Sequence, residues 1–533
     1  MANLESSKEL ASRLRALLGD ENVISDATER QFYSADVYSR GATAALVIVP
    51  QDRAMIPDAV REITQAGFAV VPRGGGMSYT GGYTPQREST VVVDLARINS
   101  IVDISADDMT ITVEAGVTWK QIYDALDPLG LRLPFFGTFS GIRATVGGGM
   151  SNGALFMGTA RYGTAAEIAL GFEVVTSDGR LLRTGQAAFE NGRPFYRTYG
   201  PDLTGLFIHD AGSLGIKTLI SMRLIEKPAQ TAFASFVFKN QADATTALSA
   251  IARSGAVEEA YVFDPATTQR SLDSADLKRD VKRLLGVVKA EKGFLKGLKA
   301  GASLVGAGRR FVADDVYSLH VVCAGANEAS VDSDLESCRR IAGDNGGGEI
   351  ANSMPKAARG NPFEPLNGIL GADGERWAAL NSKVAHSDAA ELMAATDAII
   401  ARHETAMQEH GVSTSRLYIA ISNHAFSYEP VLRWHDEWLP VHKRTPEPDF
   451  IAGLEEPVAN EAARTLVDTI RAEIVTLFQE KGVASNQIGK TYPYYESLLP
   501  ETASLVRDLK RSLDPDGLMN PGALGLPELT RRR

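Results

Sequence analysis

A glycine-rich segment at residues 71–85, VPRGGGMSYTGGYTP, constrains this chain more than any other feature. A Walker loop would end in Gly-Lys-Ser/Thr, and no lysine stands between Gly74 and Gly82. A Rossmann fingerprint would need a glycine where Tyr79 stands, and TGGYTP could not begin the helix that must follow. The segment therefore predicts a loop. Either it is a tight surface turn, or its N–H groups form a nest for a pyrophosphate, with glycines where a Cβ would collide with the ligand.

Composition excludes several classes of protein. The chain has 533 residues, 44% hydrophobic and 23% charged, enough for two or three domains of ~100–200 residues. Because the formal charge is −11, we expect no nucleic-acid partner. Cys323 and Cys338 form no CxxC pair, so neither a disulfide framework nor a cysteine metal site is predicted. The opening residues lack a secretory signal, and no stretch reaches ~18 apolar residues, which favours a cytoplasmic protein.

Strand and helix patterns alternate in the N-terminal part. The β-branched runs at 44–50 and 68–72 flank a helical pattern that closes at Gly67, which is typical of a βαβ unit. Further predicted strands lie at 90–95, at 100–116 with a turn at Asp107-Asp108, and at 168–185 with a turn at Asp178-Gly179.

The glycine density falls after residue 228, where longer helices such as 392–411 alternate with strands. The tail at 508–525 returns to a Pro/Gly-rich loop. We therefore predict one domain over 1–228, to which 508–533 returns, and a second domain over 229–507.

Five segments, in their order along the chain, resemble the FAD-binding domain shared by D-lactate dehydrogenase, glycolate oxidase, p-cresol methylhydroxylase and vanillyl-alcohol oxidase. The segments are VPRGGGMSYTGG, ATVGGGMSNGALFMGTARYGT, GFEVVTSDGRLLRTG, DLTGLFIHDAGSLGIKT and LDPDGLMNPGALG. The resemblance covers about 45–228 and the C-terminal tail. It implies an α+β fold, with a p-cresol-methylhydroxylase-type (PCMH-type) FAD-binding domain of two α+β subdomains. It further implies an α+β substrate or cap domain with an antiparallel sheet.

The resemblance also implies which residues hold FAD. In that family the two glycine clusters wrap the diphosphate, the segment matching 210–216 lines the adenosine side, and an asparagine of the tail lies near the flavin. The residues implied here are Pro72, Arg73, Gly74, Gly75, Gly76, Met77, Ser78, Gly82, Thr145, Gly147, Gly148, Ser151, Asn152, Gly153, Asp210, Gly212, Gly215, Ile216 and Asn520.

Met77 bears on how the cofactor is attached. Relatives that bond FAD to this loop carry a histidine at the matching position, and a thioether cannot form that link. A bond from a histidine of the second domain stays open, because His424, His435 and His442 lie there. We expect noncovalent FAD.

The segment 416–444 is the first candidate region for substrate chemistry. A flavin dehydrogenase needs a base for the substrate O–H proton and a cation or donors to place the substrate. His424 is the predicted base, with Arg433 nearby in sequence, although a strand residue bonded within a sheet is the alternative for His424. The lactate and glycolate branch has His-x-Gly-Asp-Gly-Asn-x-His here, with histidines on a divalent metal, whereas this chain has SNHAFSYEP. We therefore predict no metal and question a simple 2-hydroxy acid.

A second candidate region, SNQIGKTYPYYESL at 485–498, matches an EHGIGK-like stretch of the lactate branch. Lys490 persists there, while the acid and the histidine of the family are lost. Tyr492 and Tyr494 are candidates to bind a phenolate or stack on an aromatic ring, and core packing is the alternative for each. The segment 362–377 also looks more like the cresol branch.

Residues 277–310 form a basic amphipathic pattern with ten Lys/Arg against two acids. Such a segment can lie on an anionic membrane or receive an acidic electron carrier, and a solvated face or a lid is the alternative. A homodimer or other homo-oligomer is a further expectation.

These features predict an FAD-dependent oxidase or dehydrogenase that acts on a small molecule. The favoured substrate is an aromatic alcohol or alkylphenol, which gives hydride to flavin N5. One alternative is a D-2-hydroxy-acid dehydrogenase, and another is a flavin-binding partner protein without turnover. The motifs leave the electron acceptor open between oxygen, a quinone and a cytochrome.

Overall fold

A computed structural model describes residues 6–268 and 316–529, and the basic segment predicted at 277–310 lies outside them. The described residues form an α+β fold with four sheets. Among the described residues, no helix is both long enough and apolar enough to cross a lipid bilayer.

The first sheet has the strand order β1-β2-β4-β3. Strands β2 and β3 each pair in parallel with β4, and the helix Ile56–Gln65 connects them, so the predicted βαβ unit is confirmed. Its apolar runs are buried on both faces, as parallel strands require. The four strands are β1 Val23–Ile24, β2 Leu46–Ile48, β3 Ala69–Arg73 and β4 Thr90–Asp94.

The C-terminal tail adds to the edge of this sheet. The Val70 N–H donates to the Leu518 carbonyl at 2.8 Å, and the Asn520 N–H donates to the Val70 carbonyl at 2.8 Å. The tail thus returns to the N-terminal part of the chain after the helix Pro500–Leu513.

The second sheet is antiparallel, in the order β5-β6-β10-β8-β9. Both predicted hairpins are present, and Gly179 adopts the positive φ of 77° that its turn requires. A separate two-stranded sheet joins β7 to β11. The strands are β5 Ile101–Ser105, β6 Thr110–Glu114, β7 Leu131–Arg132, β8 Ala169–Val175, β9 Leu181–Arg183, β10 Ile216–Arg223 and β11 Ile225–Glu226.

The largest sheet has eight strands in the order β15-β12-β14-β13-β18-β19-β16, with β17 also paired to β19. All of its pairs are antiparallel. The strands are β12 Gln230–Phe238, β13 Glu259–Phe263, β14 Tyr317–Gly325, β15 Gly348–Ile350, β16 Arg376–Ala379, β17 Ser382–Val384, β18 Ser413–Ile421 and β19 Ala425–Trp434.

Helices cover one face of this sheet with an apolar core that includes Tyr418, Phe426 and Trp434. The predicted helix 392–411 is in fact two helices, because His403 between them has a ψ of 1°. The helices of this core are Gln241–Ser254, Glu328–Asp344, Ala389–Arg402, Glu404–His410 and Glu461–Glu480. The opposite face of the sheet is left to line a cavity.

The remaining α-helices are distributed over both parts of the chain. They are Ser7–Leu18, Ala27–Tyr33, Trp119–Leu126, Val146–Asn152, Thr159–Tyr162, Ser353–Gly360, Pro440–Arg444 and Pro448–Ala452.

Candidate active site

A central cavity of about 1030 Å³ lies between the glycine-rich loops and the uncovered face of the eight-stranded sheet. The loops form its floor and the sheet forms its roof. Every residue predicted to hold the cofactor lines this cavity, apart from Asp210 and Asn520. The floor therefore assembles segments that lie far apart in the sequence.

The first glycine loop packs closely against residues 143–145. A Cβ on Gly74 would lie 2.3 Å from Thr145 Oγ1, and one on Gly75 would lie 2.0 Å from the Arg143 carbonyl oxygen. Gly76 has a φ of +69°, and its Cβ would lie 2.2 Å from the Arg73 guanidinium. The expectation that these glycines make room for the ligand is thus corrected, because at all three positions a side chain would collide with the protein itself.

Gly148 differs from the glycines of the first loop. It lies in the helix Val146–Asn152, where Thr145 Oγ1 accepts a hydrogen bond from its N–H at 3.3 Å. A Cβ on Gly148 would meet only Thr145 Oγ1, at 3.3 Å, and the residue lines the cavity. A larger side chain at Gly148 would therefore extend into the space where a ligand would bind.

Asp210 and Asn520 do not line the cavity, but their hydrogen bonds connect the segments that form its floor. Asp210 Oδ1 accepts a hydrogen bond from the Lys217 ammonium at 2.7 Å, and Lys217 also donates to Ser151 Oγ at 2.9 Å. The Asn520 amide donates to the Gly82 and Ala211 carbonyls, both at 2.6 Å. These bonds join the tail to the first loop and the second glycine cluster to β10.

Alternate residues of neighbouring strands form the roof. In antiparallel strands every second side chain points to the same face, and nearly all the cavity-lining residues of β13, β18 and β19 are odd-numbered. The exception is Arg416 of β18, whose guanidinium is paired with Asp397 at 2.6 Å. The roof residues on these strands and on β16 are Tyr261, Phe263, Trp377, Ser415, Arg416, Leu417, Ile419, Glu429, Val431 and Arg433.

Glu429 is the acid of the β19 wall. Burial raises the pKa of its carboxyl group from 4.5 to about 7. A carboxyl group with this pKa is ionised in a useful fraction near neutral pH and can accept a proton there. The sequence around Glu429 gives no sign of a proton acceptor, but the spacing of two from Val431 and four from Arg433 places Glu429 on the cavity face of β19.

Tyr79 is a second residue whose role the sequence did not reveal. Its ring lies 5.2 Å from that of Trp377, edge to face, and its hydroxyl oxygen lies 3.5 Å from both Asn381 Nδ2 and Gln487 Nε2. Burial, and then the nearby Glu429 charge, raise the pKa of the Tyr79 hydroxyl well above 10, so it keeps its proton. A neutral hydroxyl that accepts from two amides can still donate its own proton to a ligand.

Only Arg433 among the predicted catalytic residues lines the cavity. Its guanidinium lies 3.7 Å from Glu375 Oε1. His424, by contrast, is exposed in the turn between β18 and β19 and lies outside the cavity lining. Its predicted role as the base is not supported by this position, since a base must reach the proton that it removes.

The other predicted catalytic residues support the structure from behind the cavity. Lys490 Nζ donates to the Thr84 carbonyl at 2.5 Å, and burial lowers the pKa of the Lys490 ammonium to about 7. The Tyr492 hydroxyl accepts a hydrogen bond from the Asn381 N–H at 2.7 Å. Tyr494 packs against a small cluster around Leu524. None of the three lines the cavity, which favours a supporting role over the predicted catalytic one.

The histidines of the second domain also lie outside the cavity lining. His424 and His435 are exposed, while His442 is buried and its Nδ1 accepts a hydrogen bond from the Leu439 N–H. Met77 itself lines the cavity. Among the described residues, no group of three or more His, Cys, Asp or Glu side chains could hold a metal ion.

Two protein families match this chain. The family described as "FAD binding domain" matches residues 44–185, and "FAD linked oxidases, C-terminal domain" matches residues 481–524. The two matches supply the floor of the cavity and the segment that carries Asn486, Gln487 and the tail.

The curated relatives are 2-hydroxy-acid enzymes by name. D-lactate dehydrogenase [cytochrome] 1, mitochondrial, of Saccharomyces cerevisiae is 30% identical over 212 residues, which is 39% of this chain and 35% of that protein. Glycolate oxidase subunit GlcD of Bacillus subtilis is 29% identical over 223 residues, which is 42% of this chain and 46% of that protein. The chain thus matches less than half the length of either relative.

A solved structure of p-cresol methylhydroxylase with substrate bound resembles the whole fold. Its TM-score is 0.72 at 18% identity, and the superposition covers 97% of this chain and 96% of that one. At this identity the likeness concerns the fold, including the eight-stranded roof that the sequence matches leave out.

Proposed function

We propose that the chain is an FAD-dependent oxidoreductase of the FAD-linked oxidases with a PCMH-type FAD-binding domain, and that it oxidises a CH–OH or benzylic carbon. The observation that carries this proposal is the half-buried Glu429 carboxyl group on the cavity wall opposite the cofactor loops, with its pKa raised to about 7. An acid tuned to neutral pH in such a cavity is suited to take a substrate proton.

FAD is the cofactor, and the residues of the floor fit it. Two nitrogens of the buried Arg73 guanidinium, Nε and Nη2, have no hydrogen-bond partner in the protein, and neither has Asn152 Oδ1. Both residues line the cavity, so these atoms are available to a polar ligand. Gly148 leaves the space that a diphosphate would need. With Met77 in the loop and the histidines outside the cavity lining, we propose that FAD is held noncovalently.

The bound FAD supplies a hydride acceptor, and the chain supplies the acid–base groups. The Glu429 carboxylate takes the substrate O–H proton onto one of its oxygens, while hydride leaves the carbinol carbon of an alcohol or the benzylic carbon of a 4-alkylphenol. The Tyr79 hydroxyl orients the substrate oxygen by donating a hydrogen bond, and Asn381 and Gln487 hold that hydroxyl in place. Trp377 and Val431 exclude water from the same wall.

The walls around Glu429 favour an aromatic alcohol or alkylphenol. Tyr79 and Trp377 offer an edge and a face on which an aromatic ring can pack, and Met77 packs against the same cluster. Such contacts stabilise a ring by its apolar area and by the geometry of the aromatic pairs.

A D-2-hydroxy acid is the second candidate, and Arg433 favours it. A guanidinium on the cavity wall can bind a substrate carboxylate by paired hydrogen bonds. The names of the curated relatives point the same way. Against it, Glu375 already lies 3.7 Å from Arg433, so part of the charge of Arg433 is compensated.

Anaerobic rapid mixing of the FAD-bound protein with both substrate classes tests the proposal. We expect 4-alkylphenols or benzylic alcohols to bleach the flavin faster than D-lactate or D-2-hydroxyglutarate, and Arg433→Gln to leave this reaction largely unchanged. If hydroxy acids reduce the flavin faster and Arg433→Gln abolishes that reaction, the second candidate replaces the first. If no member of either class bleaches the flavin, the protein acts as a flavin-binding partner.

The identity of the electron acceptor stays open between oxygen, a quinone and a cytochrome. A cytoplasmic location and a homodimer stay predictions.

A further inference from the structure

We propose that the cavity contains a separate apolar subsite for a substrate tail or a second ring, on the β13 side of Glu429. The apolar arm is defined by Phe156, Tyr261, Phe263, Ala357, Ala358 and Leu417. This inference rests on the proposed function, because it places the reacting carbon at Glu429. It adds the substrate class, an alcohol or phenol that carries an extended apolar group.

The strand register fixes the length of the arm. Phe263 of β13 lies opposite Leu417 of β18, and Leu417 lies opposite Glu429 of β19. The three residues therefore form one row across neighbouring strands, and all three line the cavity. Two strand spacings separate the ends of the row by about 10 Å, so a group bound at Phe263 is well beyond the reach of a short hydroxy acid at Glu429.

Aromatic rings form the far wall of the arm. The ring of Phe156 lies 5.5 Å from that of Tyr261, and Tyr261 lies 5.2 Å from Phe263, both in tilted contacts. Phe139, which also lines the cavity, extends this wall with its centroid 3.8 Å from that of Phe156. A run of tilted rings along one wall binds an alkyl chain or another ring, and gives a charged group no partner.

Small side chains keep the opposite end open. Ala357 and Ala358 lie on the helix Ser353–Gly360, which packs against β12 and β14, the strands that follow β13 away from Glu429. Because each of these side chains is a single methyl group, the arm stays wide enough there for a ligand. Asn361 and Glu364 follow this helix, also line the cavity, and hydrogen-bond to each other at 3.4 Å.

Titration with inert ligands tests the subsite apart from the reaction. The probes are 4-alkoxybenzamides with tails from methoxy to octyloxy, which carry no oxidisable alcohol, and binding to the FAD-bound protein is followed by the flavin absorbance change. We expect the Kd to fall by up to about fourfold for each buried methylene, until the tail reaches the end of the arm. A Kd that is independent of tail length overturns the proposal, because the space then belongs to the cofactor or to water.

Ala358→Phe fills the arm and should remove the dependence on tail length while methoxybenzamide still binds. Lys356→Phe, which places the same ring at an exposed position of the same helix, should leave the dependence intact. Met354→Trp provides a second blocked variant if Ala358→Phe does not fold. A dependence that persists in a folded, FAD-bound blocked variant overturns the proposal.

The matching 4-alkoxybenzyl alcohols separate this inference from the proposed function. If the amides bind with the expected length dependence but no alcohol reduces the flavin, the reaction is wrong and the subsite stands. If the alcohols reduce the flavin at rates that do not change with tail length, and the Kd of the amides is also independent of tail length, the reaction stands and the subsite is wrong.

Discussion

The floor and the roof of the cavity are built on opposite principles. The floor is made of backbone segments that pack closely, and glycine stands at Gly74 and Gly75 because any side chain would collide with a neighbouring segment. The roof is made of side chains that project from one face of a regular sheet. A backbone-built surface restricts residue type at each position, whereas a sheet face accepts many side chains. The floor can therefore be recognised in the sequence, while the roof carries the freedom to change substrate.

Gly148→Val gives the largest expected effect, a complete loss of FAD from a protein that still folds. Its side chain would project into the cavity, because only Thr145 Oγ1 lies near its Cβ. FAD content after gel filtration, together with the circular dichroism spectrum, measures both properties. Gly148→Ala is the matched control and should keep FAD.

Gly75→Val should instead destabilise the fold itself, since its Cβ would lie 2.0 Å from the Arg143 carbonyl oxygen. Folded, FAD-free Gly75→Val protein would contradict this division between packing glycines and a ligand-facing glycine.

Glu429→Gln tests whether the proposed base lies on the roof of the cavity. We expect flavin reduction to slow by about two to four orders of magnitude with FAD still bound, because the variant removes a positioned base. In the wild type, the reduction rate should fall as the pH drops below about 7, where the Glu429 carboxylate becomes protonated. Rapid mixing across the pH range measures both effects.

His424→Gln is the control for this prediction, since His424 lies in an exposed turn. An equal loss of rate in His424→Gln would show that the base is not Glu429.

Two tyrosine variants compare a residue that lines the cavity, Tyr79, with one that lies outside the cavity lining, Tyr492. Tyr79→Phe should slow flavin reduction by about ten- to a hundredfold with little change in stability, because its hydroxyl makes only long contacts within the protein. Tyr492→Phe should leave an unpaired Asn381 N–H and cost about 1–3 kcal/mol of unfolding free energy. Reduction kinetics and thermal melts of both variants measure the two effects. Slower flavin reduction and higher stability in Tyr492→Phe than in Tyr79→Phe would contradict the prediction.

The stability of the roof should depend on pH through Glu429. Between pH 4.5 and about 7 the folded protein keeps a proton on this carboxyl group that the unfolded chain releases, so stability falls as the pH rises through this window. Glu429→Gln removes this effect and should raise the unfolding free energy above pH 7 by at most roughly 3 kcal/mol. Melting temperatures of both proteins at pH 5 and pH 8 measure the difference, and equal shifts in both would refute the assignment.

The sequence alone predicted FAD as the cofactor and identified the segments that line the cavity floor. Backbone that must approach other backbone demands glycine, so the requirement is visible in the segments around Gly75 and Gly147 without a structure. The hairpins at Asp107-Asp108 and Asp178-Gly179 were predictable for a similar reason, because turns restrict the residues that they contain.

Tertiary structure alone decided which acid and which hydroxyl line the cavity and which histidine lies outside the lining. Glu429 is an ordinary acid in the sequence, and its pKa reaches about 7 only because the fold buries its carboxyl group. The Tyr79 hydroxyl meets Asn381 across 302 residues of sequence, and His424, the favoured base, lies in an exposed turn. Burial and cross-chain contact are properties of the assembled fold, since desolvation of a group depends on all the atoms around it and not on its sequence neighbours.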